Sequence, residues 1–85
     1  MKNIDPKRYN LSARTVLRQS DKNSVFIVLD RKSRIVMKDG YRILTQAKTI
    51  LQIKPTIIIT VLASAPVCSK TRSFLLQNNI QVNEL

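Results

Sequence analysis

Basic side chains are the residues of this chain with the clearest binding chemistry. Fifteen Lys and Arg face only five Asp and Glu among 85 residues, which gives a formal net charge of +10. A charge of that size opposes compaction and favours a polyanionic partner. We therefore expect the partner to be nucleic acid, either DNA or RNA, and an acidic protein is the alternative.

Three of the basic residues, Arg34, Lys38 and Arg42, recur at every fourth position, and Arg31 lies near the same line. On a helix they would form a row, in which like charges repel by a few tenths of a kcal/mol per pair. Neutralisation by a phosphate backbone explains such a row, and a solvated face is the other interpretation. We predict that seven cations contact phosphates: Arg31, Lys32, Arg34, Lys38, Arg42, Lys70 and Arg72.

Two loops are expected to meet at the edge of a sheet where its parallel strands end. The loops at 30–33 and 64–71 each lead into a predicted helix, whose free N–H groups and dipole favour an anion. The hydroxyls of Ser33, Ser69 and Thr71 would add to this anion site. Neither loop has the glycines of a nucleotide-binding fingerprint, and hydroxyls that only cap helices in solvated loops are the alternative.

Catalytic and metal-binding residue sets cannot be assembled from this chain. His is absent and there is one Cys, so we expect no metal, no cofactor and no enzymatic activity. The acids are scattered singly at Asp5, Asp21, Asp30, Asp39 and Glu84. Few aromatic residues are present, which favours contacts to the phosphate backbone over base stacking.

Cys68 is placed in the first turn of a predicted helix, two residues before Lys70. The helix dipole and the cation would favour its thiolate and make it a reactive thiol. The interpretation that we favour is a small thiol buried in the core.

The segment 58–82 carries Thr60-Val61-Leu62, then Ala65-Pro66-Val67-Cys68, then Thr71-Arg72-Ser73-Phe74-Leu75. This pattern resembles the first strand-loop-helix of glutaredoxins. The resemblance implies a thioredoxin fold and a Cys-Pro-x-Cys pair, in which Ala65 stands at the first Cys and Cys68 matches the second. A thiol-based, redox-like module is accordingly the third function that we consider.

The N-terminal half is predicted to contain an arm and a β-hairpin. Residues 1–10 are polar and basic and would be ordered only if something holds them, which leaves 11–85 as a single domain. A strand near 13–17, a turn at 21–23 and the apolar run 25–29 indicate the hairpin. The second strand is apolar at five successive positions, so it should be central and covered on both faces.

The stretch 34–54 is ambiguous at its start, because residues 34–38 suit a strand as well as a helix. Its apolar positions share one helical phase, so we predict a single long helix with Ser33 as N-cap and Pro55 at its end. Gly40 lies on the apolar arc, where a missing side chain would permit close approach to a sheet.

The remaining elements are a buried strand at 56–63, a short helix at 68–77, a left-handed stop at Asn78-Asn79 and an edge strand at 80–85. They predict an α/β fold: a small ββαβαβ domain of two or three layers, with a mostly parallel sheet and an antiparallel edge strand. Two strands apolar on both faces hint that a second copy covers one sheet face in a homodimer. We expect no membrane segment and, without a signal peptide, a cytoplasmic protein.

Overall fold

The computed structural model describes residues 1–85, which form five strands and two α-helices in one α/β domain. The elements are β1 (Lys2–Ile4), a 3-10 turn (Pro6–Tyr9), β2 (Val16–Asp21), β3 (Ser24–Leu29), α1 (Met37–Ile53), β4 (Ile58–Ala63), α2 (Ser69–Gln77) and β5 (Ile80–Glu84). The sheet order is that of the chain, with antiparallel pairing from β1 to β3 and parallel pairing from β3 to β5. The α/β class and the ββαβαβ order after β1 are confirmed, whereas the sheet is mixed rather than mostly parallel.

The N-terminal segment is part of the sheet. β1 pairs with β2, with Ile4 opposite Leu17, and Tyr9 of the following turn is buried in the core. Burial of these apolar side chains holds the segment that the sequence predicts as an arm. The antiparallel edge strand is therefore β1. The first strand of the predicted hairpin, β2, is the second strand of the sheet.

The hairpin turns at Lys22 and Asn23, where the sequence predicts it. Asp21 Oδ1 accepts a hydrogen bond from the Asn23 N–H at 2.7 Å, which is the local bonding that makes Asp a turn former. β2 begins at Val16, three residues later than predicted, so residues 12–15 form a loop. β3 is the central strand of the five, as its apolar run indicates.

The first helix begins at Met37 rather than at Arg34. Ile35 is buried and pairs with Val67 in an isolated parallel bridge. Its N–H donates to the Pro66 carbonyl at 2.9 Å, and its carbonyl accepts from the Cys68 N–H at 2.8 Å. These bonds satisfy the buried backbone at this point, so the chain stays extended through 34–36 and Ser33 is not the N-cap.

Gly40 permits close approach of the two helices, not of a helix to the sheet. A Cβ at Gly40 would lie 3.1 Å from Thr71 Cγ2 and 3.4 Å from a ring carbon of Phe74. Beside this contact Tyr41 and Phe74 pack edge to face, with ring centroids 5.2 Å apart. α2 then stops at the predicted place, because Asn79 adopts a left-handed φ of 62°.

Both helices pack on one face of the sheet, which makes the domain two layers thick. Alternate residues of β3, β4 and β5, such as Val25 and Val61, join the apolar residues of the helices in one buried cluster. The intervening residues Val28, Thr60 and Leu62 lie on the other face and outside that cluster. Neither helix has the length and the apolar composition that crossing a bilayer requires.

Candidate nucleic-acid interface

The two predicted loops lie side by side at the edge of the sheet where β3, β4 and β5 end, which we call the carboxyl edge. The Arg31 N–H donates to Ser64 Oγ at 2.9 Å, and Ser64 Oγ in turn donates to the Arg31 carbonyl at 3.0 Å. The bridge between Ile35 and Val67 joins the loops a second time. Residues far apart in the chain thus form one surface.

Arg31 and Asp39 organise the start of α1. The Arg31 guanidinium donates to Asp39 Oδ2 and to the carbonyls of Ser33 and Arg34, and Oδ2 also accepts from the Val36 N–H at 2.9 Å. Arg31 first, and the Val36 N–H after it, hold the pKa of Asp39 below its usual value. Nε and Nη2 of Arg31 donate within the protein and position the loop, whereas its Nη1 makes no hydrogen bond, so contact of Arg31 with a phosphate stays a prediction.

Five of the predicted phosphate-binding cations are exposed, and the structure gives their side chains no hydrogen bond and no ion pair: Lys32, Arg34, Lys38, Arg42 and Lys70. Arg72 differs, since its guanidinium donates to the Val82 carbonyl at 3.1 Å and links α2 to β5. Because Arg34 precedes the helix, the predicted row reduces to Lys38 and Arg42 on α1, with Arg34 in the adjoining loop.

A cleft of about 380 Å³ adjoins this surface, between the loop 12–15, the end of β3 and α1. Its apolar wall includes Leu29 and Ile43, and its polar lining includes Ser12, Arg14, Thr15, Arg42 and Gln46. Gln46 Oε1 is buried without a hydrogen-bond partner. Arg14 is not among the predicted phosphate-binding cations, because residues 13–17 read as a strand. The turn-forming Ser12 is the signal that could have placed Arg14 in a loop.

The three hydroxyl residues predicted at helix N-termini differ in their position and exposure. Ser69 is the exposed first residue of α2. Ser33 lies four residues before α1 and is not at a helix N-terminus. Thr71 is fully buried against Gly40, so it cannot contact an external anion. Of the predicted anion site, only the N-terminus of α2, with Ser69, is accessible to an external anion.

Cys68 lies at the N-cap position of α2, half-buried and outside the core cluster. The backbone N–H groups of Thr71 and then of Lys70 lower the pKa of its thiol, and the positive charge of Arg34 adds to that effect. The favoured interpretation of a core thiol is therefore wrong. The cysteine belongs to the carboxyl edge and shares its positive potential.

Basic residues outnumber acidic ones at this edge. More than half of the fifteen basic residues gather here, on the loops or the first two turns of the helices: Arg14, Arg31, Lys32, Arg34, Lys38, Arg42, Lys70 and Arg72. Both α-helices begin at this edge, and a helix N-terminus carries positive partial charge that does not compensate cations. Three acids lie at the same edge, of which Asp39 is paired with Arg31 whereas Asp30 and Glu84 form no ion pair, so eight cations stand against three acids. The edge can therefore attract and bind anions.

Groups of three or more metal-ligating side chains do not occur in the structure. Comparison of the chain with protein-family models, with curated proteins and with solved structures finds no match. The local resemblance of residues 58–82 to glutaredoxins therefore stays a prediction, and a function has to be inferred from the carboxyl edge itself.

Proposed function

We propose that this protein is a small, non-enzymatic nucleic-acid-binding module whose carboxyl edge contacts the phosphate backbone. The observation that supports this most strongly is the coincidence of unpaired cations with two helix N-termini at one edge. Each helix end adds positive potential to that of the side chains, and the three acids at this edge balance only part of the charge of its eight cations. A polyanion that lies along the edge would neutralise the side-chain cations and the positive potential of the helix ends together.

Exposed Lys32, Arg34, Lys38, Arg42 and Lys70 are the proposed phosphate ligands. Arg31 and Asp39 are positioning residues, because they fix the loop from which Lys32 and Arg34 extend. The longest dimension of the protein is 29 Å, which corresponds to about eight base pairs at 3.4 Å per step. The proposed site is therefore short and reads shape and backbone rather than base sequence.

The test is a titration of fluorescently labelled duplex DNA, duplex RNA and single strands at several salt concentrations, followed by anisotropy. Five phosphate contacts predict a slope of about −4.5 for log K against log salt on B-DNA, because each neutralised phosphate releases counterions. An absence of binding to all three probes at low salt would eliminate the proposal. The same cations would then point to an acidic protein as the partner.

A thiol-based role is the second candidate, and the position of Cys68 favours it. The thiol is half-buried at the start of α2, where backbone N–H groups and Arg34 stabilise the thiolate. Covalent modification at this point would occur within the surface proposed to bind phosphates. Loss of nucleic-acid binding after alkylation of Cys68 would connect the two functions.

A further inference from the structure

The cleft between the loop 12–15, the end of β3 and α1 has the composition of a small-molecule site. Its volume of about 380 Å³ lies near the lower end of the range of about 300–1,000 Å³ that such sites occupy. Apolar side chains, among them Leu29 and Ile43, form one wall, and polar or charged side chains make up the rest of the lining. This combination is typical of a site for an organic ligand rather than for a bare ion.

The charged residues of the cleft include two cations that are free to bind an anion. One carboxylate, that of Asp39, lines the cleft together with three guanidinium groups: Arg14, Arg31 and Arg42. Asp39 is ion-paired with Arg31. Arg14 and Arg42 are exposed and form no ion pair. Because guanidinium groups bind phosphate oxygens with paired N–H donors, the anionic part of a ligand should lie at Arg14 and Arg42.

Gln46 adds a hydrogen-bonding group that the protein itself does not use. Its Oε1 is buried without a hydrogen-bond partner, although the large majority of buried polar side-chain atoms in proteins have one. Gln46 lies on α1 one turn after Arg42 and lines the same cleft. Rotation of its amide would offer an acceptor or a donor to a ligand on the apolar wall. The edges of nucleobases carry matching donors and acceptors.

We propose that this cleft holds a single nucleotide, with its phosphate at Arg14 and Arg42 and its base between the apolar wall and Gln46. Apolar side chains, like aromatic ones, can cover the face of an unstacked base. The choice of a nucleotide over other organic anions rests on the proposed function, because a strand bound along the carboxyl edge reaches the cleft at Arg42. The nucleotide is either free or an unpaired nucleotide of that strand, since a base in a duplex would first have to leave its stack.

Amide NMR titrations of the full chain with adenosine monophosphate and uridine monophosphate test the cleft. Ribose phosphate, which lacks the base, and adenosine, which lacks the phosphate, are the comparison probes. We expect each monophosphate to bind at least tenfold more tightly than either probe and to shift signals of the loop 12–15, the end of β3 and the middle of α1. Equal binding of ribose phosphate, or shifts that leave the cleft unchanged, would overturn the proposal.

Two charge variants separate the cleft from general attraction of anions. Arg14→Gln should weaken monophosphate binding about tenfold, because it removes a proposed phosphate ligand. The matched control Arg18→Gln removes the same charge from β2, where Arg18 does not line the cleft, and should leave the affinity nearly unchanged. Equal losses in the two variants would contradict the proposal.

Gln46→Leu removes the amide and keeps an apolar side chain in its place. It should weaken monophosphate binding and leave ribose phosphate binding unchanged. It should also raise the Tm of the unliganded protein, because a buried acceptor without a partner is removed. A lower Tm together with unchanged monophosphate affinity would show that Gln46 has a structural role and would contradict the proposed position of the base.

Anisotropy titrations with labelled duplexes identify the source of the nucleotide. A duplex with one unpaired nucleotide at its end should bind more tightly than a blunt duplex if the cleft takes the nucleotide from a strand, and equally tightly if the ligand is a free nucleotide. Duplex binding without monophosphate binding would overturn the cleft site and leave the proposed function in place. Monophosphate binding in the cleft without binding to any nucleic acid would support the cleft site and eliminate the proposed function.

Discussion

The two ends of the sheet both carry basic residues, yet the helix ends beside them differ in the sign of their partial charge. At the amino edge, where β3 and β4 begin, Arg8, Lys22 and Lys54 surround a shallow cleft. α1 ends there, and Lys54 Nζ donates to the Lys22 carbonyl at 2.8 Å. The carbonyls of a helix C-terminus attract cations, whereas the N-termini at the carboxyl edge do not. The position of a cation relative to helix ends, more than the number of cations, thus determines where an anion is attracted.

The largest expected effect comes from removing three charges at the carboxyl edge. Changing Arg34, Lys38 and Arg42 together to Gln should weaken nucleic-acid binding about 100-fold and lower the salt slope by about 2.7, because three phosphate contacts are lost. Anisotropy titrations of labelled duplex would measure both quantities.

The matched control for that triple variant removes the same charge at the amino edge, by changing Arg8, Lys22 and Lys54 to Gln. Its affinity should fall only a few-fold, through the lower net charge. Equal losses in the two variants would show that net charge alone drives binding and that the edges do not differ.

A smaller effect is expected for the pair that shapes the carboxyl edge. Asp39→Asn removes the ion pair with Arg31 and weakens the bond to the Val36 N–H, so we expect a loss of about 1 kcal/mol in unfolding free energy. Thermal unfolding should show this as a decrease of about 4–8 °C in Tm. At the opposite edge, Asp21→Asn keeps a side-chain oxygen for the exposed turn and should cost less.

The Asp39 contribution should also depend on pH. Because folding lowers the pKa of Asp39 from its ordinary 3.8, its stabilisation is fully present above that pH and is lost as pH falls through the lower, folded-state pKa. The stability difference between the unmodified protein and Asp39→Asn should therefore be constant at pH 5 and above and shrink on acidification below 3.8. A difference independent of pH would mean that the charge of Asp39 is not what stabilises the loop.

The smallest expected effect is on thiol reactivity, which reports the helix-end potential directly. Cys68 should react with iodoacetamide in the native protein, and its rate should rise with pH through a pKa below the ordinary thiol value. Arg34→Gln should slow the reaction only a few-fold, because backbone N–H groups are the main cause of the lowered pKa.

A cysteine at the other helix end is the control for this reactivity. Ile53→Cys in a Cys68→Ala background places a thiol on the exposed last residue of α1, where the carbonyls disfavour a thiolate. It should react more slowly than Cys68 at the same pH. Reaction of Cys68 only after denaturation would show that this helix end does not activate the thiol.

The sequence by itself determined the elements that depend on local or purely apolar signals. The apolar runs at 25–29 and 58–63 identify two buried inner strands, because so many apolar side chains in succession need cover on both faces. Asp21 and Asn79 mark chain reversals through their own backbone preferences. The prediction that the loops after β3 and β4 meet at one edge is confirmed, whereas the polyanionic partner that the net charge indicates stays a prediction.

Tertiary structure decided which of those residues are available for binding. The start of α1 depends on a bridge between Ile35 and Val67, 32 positions apart in the chain, and no local propensity contains that information. Packing of α1 against α2 buries Thr71 beside Gly40, and the loop before β2 places Arg14 at the cleft beside α1. The charge of Arg31 predicts a phosphate ligand, but Asp39 binds its guanidinium and gives it a positioning role. The sequence specifies the chemistry of a side chain, whereas contacts between distant segments determine its partners and its exposure.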